Sequence, residues 1–73
     1  MNEKQTDFAS EIKRIRLAKD LFQGEFANLV GIARISVSHY ECRHTKPGLR
    51  AIRKIKEFAR LHNIDYDESV LKS

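Results

Sequence analysis

The stretch that decides the fold runs Gln23-Gly24-Glu25-Phe26-Ala27-Asn28-Leu29-Val30, then Gly31-Ile32-Ala33, then Arg34-Ile35-Ser36-Val37-Ser38-His39-Tyr40-Glu41-Cys42. Phe26, Ala27, Leu29 and Val30 crowd one side of the first segment, as a short helix from about Gln23 to Val30 requires. Gly31 ends that helix, because a glycine just past a helix takes positive φ without strain. Ile32 is expected to plug inward from the turn. In the third segment, about Arg34 to Cys42, Val37 and Tyr40 stand three apart as the buried side, and small polar residues fill the rest.

Working outward, Phe8, Ile12 and Ile15 recur at four and three residues and place one apolar stripe on a helix from about Asp7 to Lys19. Thr6 is its expected N-cap, and Asp7 favours the positive end of its dipole. Asp20 sits where the chain must turn and tolerates left-handed geometry. On the other side, Arg43 to Gly48 reads as a loop, since Pro47 disfavours helical geometry in Lys46. A helix of about Leu49 to His62 follows, apolar at Leu49, Ile52, Ile55, Phe58 and Ala59 and basic at Arg50, Arg53, Lys54 and Arg60. Asn63 is a suitable stop. Asp65-Tyr66-Asp67-Glu68 has the form of a capping box and predicts a last short helix through Val70 and Leu71. The expectation is therefore all-α: a compact bundle of about five short helices, a single domain over residues 1–73, with a central helix-turn-helix unit at about 22–42.

Composition narrows the function. Fourteen Lys and Arg against ten Asp and Glu give a net charge of +4, and its distribution matters more than its size. Residues 1–33 cancel, 34–62 hold eight basic residues against Glu41 and Glu57, and 63–73 are acidic. A positive field gathered in one segment suits a phosphate backbone, although solvated helices are also often basic. The longest uncharged run, Phe26 to Ala33, is far too short to cross a bilayer. Met1-Asn2-Glu3-Lys4-Gln5 is polar and unlike a signal peptide. Cys42 is the lone cysteine, so no internal disulfide is expected and a cytoplasmic location is. His39, Cys42 and His44 are too few to close a structural metal site. No phosphate loop or nucleophile–base pair is present. Neither an enzyme, a cofactor, a metal nor a small-molecule ligand is expected.

Two short helices joined by a glycine turn form the unit that enters a DNA major groove. The run Ile15-Arg16-Leu17-Ala18-Lys19-Asp20-Leu21-Phe22-Gln23-Gly24-Glu25-Phe26-Ala27, continued by Gly31 to Glu41 and Thr45-Lys46-Pro47, resembles the XRE-type (Cro and lambda-repressor-like) helix-turn-helix family of phage and prokaryotic regulators. The resemblance covers about Ile12 to Ile64. It implies base reading by Arg34, Ile35, Ser38 and His39, where Arg34 could fork onto guanine and Ile35 touch a thymine methyl. It implies phosphate contacts from Gln23, and from Arg43, Thr45 and Lys46 in the loop. Arg16 would either reach phosphate or brace against Glu41. A transcriptional regulator on double-stranded operator DNA is the function implied, acting as a homodimer because one such helix reads a half-site.

The chain departs from the family pattern in ways that open a second function. Phe22 and Ala33 replace the usual Ser or Thr caps, which typically contribute about 1 kcal/mol each. Cys42-Arg43 replaces the usual Asn-Gly, removing the residue that turns left-handed most easily. Phe22 and Ile35 would either fold into the core and meet a thymine methyl, respectively, or form an apolar patch rimmed by Arg34, His39 and Arg43. The latter resembles a protein interface, as in an antirepressor that docks on another repressor's DNA-binding domain.

Overall fold

The computed structural model describes residues 7–71. Among them the chain forms four helices, α1 (Phe8–Leu17), α2 (Gln23–Val30), α3 (Arg34–Glu41) and α4 (Leu49–Leu61), and no strand. None is long and apolar enough to cross a membrane.

The helix ends follow from local chemistry. Asp7, in extended geometry, accepts the Ser10 amide at 3.1 Å and caps α1; the expected cap, Thr6, lies outside the described residues. Asp20 turns the chain at φ 54°. Gly31, at φ 89°, ends α2 and donates its amide to the Ala27 carbonyl at 2.8 Å. Lys54 reaches across from α4 and donates to the Gly31 carbonyl at 2.8 Å, binding the turn to the fourth helix. Asn63, at φ 55°, turns the chain after α4.

The core gathers one face from each helix: Ala9, Ile12 and Ile15, then Phe26, Ala27 and Val30, then Val37, then Ile52, Ile55, Phe58 and Ala59. Phe26 and Phe58 meet edge to face with ring centroids 5.2 Å apart, an arrangement that adds to simple burial. Ile32 and Tyr40 pack against this core while half-buried. Two members of the expected apolar stripes stay at the surface. Leu29 is 61% and Leu49 50% exposed, because each stands at the flank of its apolar stripe, where no further element covers it.

The expected fifth helix is corrected. Residues 68–70 form a single turn, with the Val70 and Leu71 amides both on the Asp67 carbonyl at 3.0 Å. Asp67, not Asp65, acts as the cap, accepting the Ser69 amide and hydroxyl at 3.0 and 2.6 Å. Glu68 pairs with Lys56 at 3.2 Å instead of reaching back to Asp65. The turn still seats Leu71, which is fully buried. Glu11 secures this segment from below: its buried carboxylate accepts from Arg14 and from the Asp67 amide at 2.7 Å. Arg14 first, then the Asp67 amide, hold the Glu11 carboxyl below its ordinary range against the opposing effect of burial.

Candidate functional site

Val37 sets the rotation of α3. It is completely buried, and two residues either way along a helix lie about 200° around it, so Ile35 and His39 face outward. Ser38 lies about 100° around from Val37, and Arg34, three residues before Val37, lies about 60° around, against the start of α2. Arg34 and Ile35 are exposed, Ile35 at 60%; Ser38 and His39 are half-buried. Of the four residues expected to read a partner, Ile35 and His39 thus share the outer face of α3, with Ser38 at its edge and Arg34 exposed at the first turn.

The stem of Arg34 lies over the first turn of α2. A side-chain carbon added at Gly24 would stand 3.3 Å from Arg34 Cδ and 3.7 Å from its Nε. Just before that turn, Phe22 is 78% exposed, which excludes its folding into the core. A phenyl ring cannot cap a helix, and half the cap is supplied elsewhere: the Glu25 carboxylate accepts the Phe22 amide at 2.8 Å.

Three residues assigned to phosphate are engaged within the chain itself, Arg16 and Gln23 on a buried carboxylate and Arg43 on a partly exposed one. Arg16 forms a two-point pair with Glu41, Nε to Oε2 at 2.7 Å and Nη2 to Oε1 at 2.9 Å, and donates to the Leu21 carbonyl at 2.7 Å. The Glu41 hydrogen bonds raise the Arg16 guanidinium above its ordinary value. Gln23 donates to the same carboxylate at 3.1 Å. The cause is common to both: the Glu41 side chain is almost wholly buried, and a buried carboxylate must be surrounded by donors. Arg43 adopts φ 64° and donates to Asp7 at 2.6 and 2.9 Å and to the Ser10 hydroxyl at 3.2 Å. That hydrogen-bonded pair draws the Asp7 carboxyl down to about 2.

Thr45 and Lys46 remain exposed in the loop between α3 and α4. Arg34, Lys46, Arg50 and Arg53 have no carboxylate partner among the described residues, whereas Arg43, Lys56 and Arg60 do. The positive charge of this segment is therefore concentrated in α3's first turn, the loop and the first half of α4. His39 and His44 stack edge to face at 5.4 Å, and the Cys42 thiol lies 3.8 Å from the His39 carbonyl. Among the described residues no three His, Cys, Asp or Glu side chains converge as a metal would need.

No family model, curated protein or solved structure matches this chain.

Glu41, the expected alternative partner of Arg16, also holds Gln23 and so removes both from the surface. One residue of the site was missed from sequence: Gly24 is the bed on which Arg34 lies. A glycine in the first turn of a helix, with no turn to make there, was the available signal for it.

Proposed function

We propose that this chain is a small transcriptional regulator of the lambda-repressor-like kind, with α2 and α3 as its helix-turn-helix and the outer face of α3 read into the major groove of operator DNA. The observation that carries this reading is the burial of Val37, which turns Ile35 and His39 to the opposite face of α3, beside an exposed Arg34 at the first turn of the helix. Lys46, Arg50 and Arg53 supply uncompensated charge for the flanking phosphates. The protein acts as a homodimer on a two-fold site and needs no cofactor. Selection from a pool of random DNA duplexes tests it. Wild type enriches one motif; Arg34→Ala relaxes a single base position at about 1–3 kcal/mol, and Lys46→Ala weakens all sequences alike. Failure to enrich any motif would exclude direct operator reading.

A second reading is favoured by the exposure of Phe22 and Ile35. With Gln23, Arg16 and Arg43 engaged internally and the Glu25 carboxylate at the start of α2, the surface that would meet phosphates has fewer donors than the family pattern implies. An apolar centre with Arg34 on its rim suits a protein partner, here the DNA-binding domain of another helix-turn-helix repressor, so that the chain modulates repression. Phe22→Ser with Ile35→Ser then abolishes that complex while the fold survives. Retained partner binding with loss of operator binding alone returns the decision to DNA.

A further inference from the structure

We infer that Gly24 is a positioning residue for recognition, and that its missing side chain is the lane that holds Arg34 in its reading posture. The inference rests on the reading of α3's outer face as the binding surface.

Glycine is the poorest helix former after proline, and Gly24 stands inside an eight-residue helix. Backbone geometry does not require it there, since the glycine with positive φ is Gly31. Core packing does not require it either. The atoms a new side-chain carbon would meet within 4 Å are Arg34 Cδ and Nε. At Gly48, by comparison, such a carbon meets nothing. Gly24 thus weakens its helix for one visible gain: room for the stem of an arginine ten residues away across the glycine turn.

That room has a recognitional consequence. An exposed arginine ordinarily loses much rotamer freedom when it binds. Here the stem lies against Gly24 at the first turn of α2 in the free protein, so part of that restriction is already in place. No carboxylate pairs with Arg34 among the described residues, which leaves the guanidinium fork free for two acceptors, as on a guanine edge. An alanine methyl at 3.3 Å from Cδ forces the stem aside by a few tenths of an ångström, and the fork moves with it.

A double-mutant cycle on the duplex selected by wild type tests the proposal. Gly24→Ala should weaken binding roughly three- to tenfold, with the loss confined to the base position that Arg34 reads. In an Arg34→Ala background the same substitution should change affinity less than about twofold, within the usual additivity error. Thermal stability should rise in both backgrounds, so lost binding is not lost folding. Equal losses in the two backgrounds, or no loss in wild type, overturn the proposal. If wild type selects no duplex, the operator reading fails separately, and NMR of the free protein decides the lane. A Gly24 Hα to Arg34 Hδ contact, replaced in Gly24→Ala by averaged Arg34 side-chain resonances, upholds it; Arg34 resonances unchanged by the substitution refute it.

Discussion

Arg16 and Glu41 form the buried two-point pair that ties the end of α1 to the end of α3. Removing one partner of such a pair leaves a buried charge without compensation, a loss of about 3–5 kcal/mol, whereas replacing both by apolar residues of similar size is often neutral. Glu41→Ala is therefore expected to lower stability in urea unfolding by about that amount, and Arg16→Met with Glu41→Leu to recover most of it. A small effect of Glu41→Ala would mean that water reaches the pair. The possibility of this pairing was legible in the sequence; its priority over phosphate contact was not. It depends on the burial of Glu41, which no local pattern reveals. Gln23 and Arg43 were hidden for the same reason, since their partners stand 18 and 36 residues away.

At the scale of elements, α3 ends without the glycine that would ordinarily turn it. Arg43 takes the left-handed conformation instead and is held there by Asp7, which also caps α1. One carboxylate thus serves two helix ends. Asp7→Ala should destabilise by about 1 kcal/mol through the cap alone, and further through release of Arg43. Asp7→Asn keeps a good cap and loses the charge pair, so its effect isolates the pair. The folded Asp7 carboxyl is depressed to about 2, so its contribution is present above the unfolded value near 4 and disappears as pH falls toward 2. Glu11, also depressed, contributes in the same direction. Melting temperatures from pH 7 to 2 should fall steeply below about pH 4 in wild type and less steeply in Asp7→Asn; identical acid limbs would show that the pair contributes nothing. The ends of α2 and the turn at Gly31 were readable because glycine and a change of apolar period coincide there. The last turn was misread as a helix because a capping box marks only where a helix can begin, and here tertiary contacts engage its members: Glu68 on Lys56, and the Asp65 carbonyl on Arg14.

At the scale of the whole molecule, the four helices of the described residues close one core, while the unpaired positive charge gathers in α3's first turn, the loop and the first half of α4. Lys46, Arg50 and Arg53 are the cations expected to meet phosphate, so affinity should fall with salt at a logarithmic slope of about −2 to −3 per protomer. A slope near zero would favour a protein partner over DNA. The all-helical class was legible from apolar periodicity alone, but periodicity cannot say which flank of a stripe remains uncovered, as it does at Leu29 and Leu49. The most direct test of the central claim, that α3's outer face is the binding surface, is amide-perturbation mapping by NMR during titration with a selected duplex. Shifts are expected to concentrate on Arg34 to His39, with a weaker set from Thr45 to Arg53. Shifts confined to the exposed leucines Leu29 and Leu61, or an unchanged α3, would contradict the claim.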